Sequence, residues 1–474
     1  MPILSKDARI IWRRRIQGFW EEFSRKKIGI LGLIMLFVFI FMAIFAPWLT
    51  PYDPLAQQRV ADGFAMPQWV TVFPQFQNLT NTESVWFDWS KTTESPYITG
   101  YGRNVTVTYE PKATETFRIK FESIYTYKAP VPPNSFYLDF SWTAGNVENM
   151  EYSINLYVIN PRTEKSFLLY YKTNTTPAGE NSHVDSIDPI LMYRLGLSPG
   201  VDILGNIVFP DKGDYRFVLE MFFKPTNPSA RCDINVREGQ LTVLGTAHGI
   251  LGTDNAGADL WSQLVWGARV SLMIGLIAAL LSTTIGITVG VVTGYLGGIV
   301  DEAMMRVVDI LLCLPILPLL LSLVFLFGKN IFYIILFVAI FGWQGLSRIV
   351  RSQVLSLRES SFIECATASG ASKTYIMTKH LVPNVLPVAF ASLILAVPSA
   401  ILFEASLSFL GFGDPRAPTW GKILQMGFGF GGFSHLAWWW IIPPGLCITL
   451  LCLAFVFMGH AIDDVVNPRL RRRR

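Results

Sequence analysis

The chain has 474 residues, 51% of them hydrophobic and 16% charged, with a formal net charge of +4. This is a membrane composition with room for one soluble domain as well. The basic residues crowd the ends, in Arg13-Arg14-Arg15, Arg25-Lys26-Lys27 and Arg469 to Arg474, beside apolar stretches and without a folded basic domain, so they read as cytosolic membrane anchors and no nucleic-acid partner is expected. The five cysteines are scattered, and no CxxC pair or Cys/His cluster has metal-ligand spacing, so no metal site is expected.

Residues 8–24 place Ile11, Trp12, Ile16, Phe19, Trp20 and Phe23 near one helical face, which makes 1–27 a cytosolic N-terminal segment with an interfacial helix. The apolar run 28–49 is too long for a signal-peptide core and lacks a small-x-small cleavage site, so it reads as a retained first span. Pro51-Tyr52-Asp53-Pro54 then signals a loop. Across 50–249 the apolar residues alternate with period two. Phe117, Ile119 and Phe121 do so, as do Phe136, Leu138, Phe140 and Trp142, then Tyr152, Ile154, Leu156 and Val158, then Tyr215 to Phe223. These are half-buried antiparallel strands, and together they predict a β-sandwich-like domain, acidic enough to face outward. Trp69, Trp86 and Trp89 precede the first clear strand in loop-like sequence. Exposed, they would anchor a partner or stack on sugars; buried, they would close an edge of the sandwich. No constellation in this domain suggests catalysis.

Residues 250–267 read as an interfacial segment, with Thr253 or Asp254 capping a short helix that carries Leu260, Trp261, Leu264 and Val265. Residues 268–464 hold five more spans, near Ala268–Gly297, Val307–Phe327, Ile331–Ile349, Val385–Phe409 and Trp438–His460, and a basic tail 465–474 follows. Six crossings from a cytosolic start give a cytosolic end and leave 50–267 outside a plasma membrane. The loop 352–384 then falls in the cytosol, where Arg348, Arg351, Arg358, Lys373 and Lys379 satisfy the positive-inside rule. Arg306 and Asp309, three apart, are expected to pair. Pro315, Pro318 and Pro398 interrupt spans, which suits a bundle that moves.

Three stretches carry the chemistry. Phe362 to Asn384 is polar between apolar flanks and predicts two short helices broken at Gly370. The first runs through Glu364, Cys365, Ala366 and Ala368; the second starts at Ser372 as N-cap and stops before Pro383. Glu404 lies inside the fifth span with Ser406 and Ser408, followed by Pro418-Thr419-Trp420-Gly421. A carboxyl at that depth either lines a pathway or makes an interhelical hydrogen bond. Leu251 to Leu276 contains Gly252-Thr253-Asp254, Gly257 and Gly267-Ala268-Arg269, but no Gly-Lys-Ser/Thr phosphate loop follows, and the chain has none elsewhere, so ATP hydrolysis is not expected of it.

The first stretch resembles the Glu-Ala-Ala coupling loop of ABC-importer permeases, with Glu364-Cys365-Ala366, Gly370 and Val382-Pro383 at the motif positions. Gly370-Ala371-Ser372 and His380-Leu381-Val382-Pro383-Asn384 are closest to the dipeptide/oligopeptide/nickel branch. The other two stretches resemble the same branch, apart from Ala258 where its members carry Arg. The resemblance covers about residues 8–55 and 250–470 and implies a type I permease of six spans. It further implies a second homologous permease, two ATPase subunits that bind ATP and Mg, and an extracellular substrate-binding protein. Glu364, Ala366, Gly370, Ala371, Ser372, His380 and Pro383 would couple to the ATPases; Glu404, Ser406 and Ser408 would be pathway or bundle polar groups. Peptides, oligosaccharides and nickel are the substrates the branch offers. A channel or a receptor with a ligand-binding ectodomain is the reading from another class, but no pore-lining ring of charge and no cytosolic output domain supports it.

Overall fold

The computed structural model describes residues 17–56, 58–109, 115–198 and 203–466. Arg13 to Arg15, the start of the expected interfacial helix, and the basic tail from Asn467 onward lie outside the described residues. The chain divides into two compact units, one of Met1–Gln57 with Leu260–Arg474 and one of Gln58–Asp259.

The first unit is helical. α1 (Lys27–Leu49) packs on α10 (Trp438–Val466), because Gly29 and Gly32 leave no side chain between them. A Cβ at Gly29 would stand 2.5 Å from Ala461 Cβ, and one at Gly32 would stand 2.7 Å from the Ala454 carbonyl. α2 (Leu260–Leu296) has 37 residues, about 55 Å at the α-helical rise, well beyond the ~30 Å of a hydrocarbon core. It is one helix from Leu260 onward, so the short interfacial helix and the span expected from Ala268 are a single element. Neither expected cap caps it. The Asp254 carboxylate accepts from the N–H groups of Ala256 and Ala258 in its own turn, both at 2.9 Å, while Thr253 Oγ1 donates to the Asp62 carbonyl at 2.6 Å.

The third apolar stretch is broken. α3 (Gly298–Cys313) and α4 (Ile316–Phe327) meet at 90°. Pro315 has no N–H to donate and pushes Leu314 out of the helical region, to φ −75° and ψ 137°. α5 (Ile331–Ile340) and α6 (Gln344–Arg358) are separated by a turn and count as one 28-residue span, longer than the expected 331–349. α7 (Ser361–Ala368) is short; α8 (Val382–Phe409), α9 (Trp420–Gly429) and α10 complete the unit. By length and composition five helical runs could cross a membrane, or six if the bent pair counts as one.

The second unit is built of two antiparallel sheets. β1 (Glu83–Trp86), β3 (Ile98–Gly100), β4 (Val105–Tyr109), β6 (Phe136–Glu148), β9 (Ala178–Asp185) and β11 (Arg231–Val243) form one, ordered β3-β4-β11-β6-β9 with β1 also on β11. β2 (Ser90–Lys91), β5 (Phe117–Tyr127), β7 (Met150–Ile159), β8 (Ser166–Asn174) and β10 (Gly213–Pro225) form the other, ordered β2-β5-β10-β7-β8. The alternating residues point as the period-two pattern requires. Leu138, Trp142 and Ile234 of one sheet share a single core with Phe121, Tyr152 and Phe217 of the other. Trp89 joins that core, whereas Trp69 and Trp86 stay about half exposed. Cys232 is fully buried, and burial pushes its thiol up to about 12.

The two ends of this unit are tied together. The buried Asp62 carboxylate accepts from Asn134 Nδ2 at 3.0 Å and from Ser135 Oγ, and Arg59 reaches Asp185 at 3.0 Å. Met66 bridges Ala247, and Gly252 at φ +67° lets the outgoing backbone lie against Ala65, whose carbonyl would stand 2.1 Å from any Cβ there. Chain ends held side by side are what an insertion between two helices needs, and the core is complete within the insert. The excised fragment Gln58–Asp259 should therefore unfold cooperatively by itself, and Trp142→Ala should cost it about 3–5 kcal/mol. Tryptophan fluorescence in a urea titration measures both; a fragment without a cooperative transition would contradict the independence of the domain.

Candidate functional site

The Phe362–Asn384 stretch forms a helical hairpin with a defined turn. α7 ends in a Schellman motif: the Gly370 N–H donates to the Thr367 carbonyl at 3.0 Å and the Ala371 N–H to the Ala366 carbonyl at 3.1 Å. That geometry places Gly370 at φ +79°, a conformation in which a side chain is strained. Ser372 then caps the second arm, its Oγ accepting from the Tyr375 N–H at 3.3 Å.

The second arm does not stop before Pro383. It runs as one helix from Lys373 to Phe409. The turn Ile376–Leu381 is π-helical, with the Val382 N–H bonded to the Met377 carbonyl, and α8 starts from it. Pro383 thus falls in the first α-helical turn, where its missing N–H is tolerated. The Asn384 side-chain amide donates to the His380 carbonyl at 2.6 Å, beside the gap the proline leaves.

The two arms meet at His380, whose ring lies 6.2 Å from Phe362 of the first arm and 5.7 Å from Tyr375 of its own arm between centroids. Ala366 and Ala371 turn inward onto a cluster that includes Val350, Val354, Ile363, Ile376 and Leu381. Glu364, Gly370, Ser372 and Pro383 are exposed, and the Glu364 carboxylate has no hydrogen-bond or ion-pair partner among the described residues. A cleft of about 550 Å³ opens beside it, lined in part by Tyr295, Arg358, Glu364 and Lys373.

The hairpin is seated through α6. Gly286, Gly290 and Gly294 of α2 form a groove that receives Leu346, Val350 and Val354; a Cβ at Gly290 would stand 2.7 Å from Val350 Cβ. This four-residue spacing of small residues, a signal the sequence itself carries, is the close-packing pattern of membrane helices. The one ion pair expected from sequence spacing, Arg306 with Asp309 on α3, does not form. Asp309 is taken by Arg348 rather than by Arg306, and Arg351 grips Asp301 at 2.5 and 2.6 Å, because α6 lies alongside α3.

Glu404 is 1% exposed. Ser408 Oγ donates to its Oε1 at 2.6 Å, and the Thr419 side chain is a second hydrogen-bond partner. Ser406 is apart from them and donates to the Leu402 carbonyl of its own helix at 2.7 Å. Trp420, next to Thr419, is fully buried; its Nε1 donates to the Leu264 carbonyl at 2.8 Å, and Gly267 and Gly421 make room for it and for its helix. The Glu404–Gly421 stretch is therefore a packed polar clasp. A separate cavity of about 280 Å³ lies among Ser282, Gly342, Ser392, Ser399, Ala400 and Phe403, and among the described residues no charged side chain lines it.

Two family models match. "Binding-protein-dependent transport system inner membrane component" covers residues 286–472 and "N-terminal TM domain of oligopeptide transport permease C" covers residues 15–67. The oligopeptide transport system permease protein OppC of Haemophilus influenzae is 39% identical over 243 residues, 50% of this chain and 76% of that protein. OppC of Escherichia coli K12 is 44% identical over 222 residues, 46% of this chain and 72% of that protein. The chain belongs to this permease family. It is a permease subunit of an ABC importer and a multi-pass membrane protein. The dipeptide permease DppC of Bacillus subtilis, 37% identical over 223 residues, 47% of this chain and 69% of that protein, is a further relative.

Proposed function

We propose that this permease forms half of a translocation pathway for peptides, pairs with a second homologous permease, and is driven by two ATPase subunits that bind ATP and Mg. Identity of 37–44% to permeases named for oligopeptide and dipeptide transport supports the substrate class. In this reading an external binding protein delivers the peptide, both termini are cytosolic, and the β unit is extracellular, where it helps seat the binding protein or guide its ligand. The basic residues around the hairpin and the acidic balance of the insert favour that orientation. Glu404 and Ser408 order the bundle next to the path, while Ser406 bonds back to its own helix.

The observation that carries the coupling role is the exposed, unpaired Glu364 on a hairpin whose turn is fixed by Gly370. The hairpin docks on an ATPase, with Glu364 meeting a basic surface, Gly370 and Ser372 setting the angle of the arms, Ala366 and Ala371 seating them, and His380 and Pro383 holding the second arm to α8. When the ATPases close on ATP, hairpin and span move together and the bundle switches sides as packed bodies.

In the assembled complex, Glu364→Lys and Gly370→Val should both insert normally yet lose stimulation of ATPase activity by the loaded binding protein. The valine strains the turn by about 1–2 kcal/mol, and the lysine places like charges opposite each other. Wild-type stimulation in both would sink the coupling role. For orientation, a cysteine in place of Lys172 should react with an impermeant maleimide from outside and one in place of Lys373 only after permeabilisation; labelling of both from one side would overturn the topology.

A further inference from the structure

α3 is a short rod between two joints. At its start Gly297 and Gly298 both have positive φ, +66° and +56°. At its end the extended Leu314–Pro315 backbone turns the chain by 90° into α4. Between the joints Val308 is the one fully buried residue of α3 among those described, so apolar packing within this chain holds the rod weakly. Two ion pairs hold it instead. Asp301 is gripped by Nε and Nη2 of Arg351 at 2.5 and 2.6 Å, a two-point contact that fixes angle as well as distance. Two turns further on, Asp309 accepts from Arg348. The Asp301 side chain is 16% exposed, the drier of the two acids.

Both arginines stand on α6. The opposite side of α6, Leu346, Val350 and Val354, is seated in the glycine groove of α2, and its end leads through Glu359 and Ser360 into α7. A displacement of the hairpin must therefore displace α6, and the two arginines are the ties through which α3 would follow.

We propose that Asp301, Asp309, Arg348 and Arg351 are positioning residues for transport: they make α3 a follower arm that swings on its glycine and proline joints whenever the coupling hairpin moves. This deepens the coupling role proposed above and rests on it. None of the four needs to touch the solute or the ATPase. Their effect is on how much of the ATP-driven motion reaches α4.

The test uses the complete complex in proteoliposomes, with ATP hydrolysed per peptide taken up as the readout and assembled complex and basal hydrolysis as controls. Asp301→Asn and Arg351→Gln should each raise that ratio about five-fold or more, the low end of coupling free energies between sites. The exchange Asp301→Arg with Arg351→Asp should bring it back, which a merely structural loss would not do. Single variants with the wild-type ratio would overturn the follower arm, and so would an exchange that assembles but stays uncoupled. Glu364→Lys in the same assay separates the two claims. If it loses stimulation while Asp301→Asn keeps the wild-type ratio, the follower arm alone falls. If Glu364→Lys and Gly370→Val are also unaffected, the coupling role falls and takes the arm with it.

Discussion

The membrane unit depends on a reversal of the backbone at Gly370. Two backbone hydrogen bonds close α7 onto that glycine, and Ser372 opens the next helix two residues later. Because this helix then runs unbroken from Lys373 to Phe409, the hairpin's second arm and an apolar span are one piece. The glycine groove of α2 seats α6, and the contact of the His380 ring with Phe362 joins the two arms. A loop held this way has little freedom of its own. In the proposed coupling, motion given to it would pass into α8, at the far end of which Glu404 is hydrogen-bonded to Ser408 and Thr419.

Much of this was legible in the sequence, and the failures have identifiable causes. The break at Gly370 and the cap at Ser372 are local events, set by backbone freedom and side-chain hydrogen bonding, and local rules find them. The stop expected at Pro383 failed because a π-helical turn repositions the proline into a first turn, and no sequence pattern marks that turn. The pairing of Asp309 with Arg306 failed for a different reason: spacing of three along one helix is necessary for a contact, but Arg348 of a neighbouring helix is better placed. Tertiary partners compete with local ones, and the competitor is invisible until the helices are packed. Pro315 shows the converse case, where a residue known to interrupt helices turns the chain by a right angle rather than kinking it.

The two units are specified by different physics. In the insert, water on one face of each sheet forces the period-two pattern that made its strands readable, and the tied chain ends explain how it fits between two helices. In the helical unit, lipid replaces water and the apolar pattern loses its contrast. What fixes helix against helix is the absence of side chains at Gly29, Gly32, Gly286, Gly290 and Gly294, together with a few polar groups such as the buried Glu404 and the partly exposed Asp301–Arg351 pair.

The central claim is that the hairpin and α8 move as a rigid unit. Spin labels at cysteines replacing Thr374 and Leu402, in a complex whose native cysteines are substituted, would stand about 42 Å apart along a continuous helix. Pulsed electron–electron resonance on the nucleotide-free and ATP-trapped complex should give the same single distance in both. A second population, or a shift of more than about 5 Å, roughly one helical turn, would mean that the chain bends at Pro383 or Pro387 and that the hairpin does not drive the span directly.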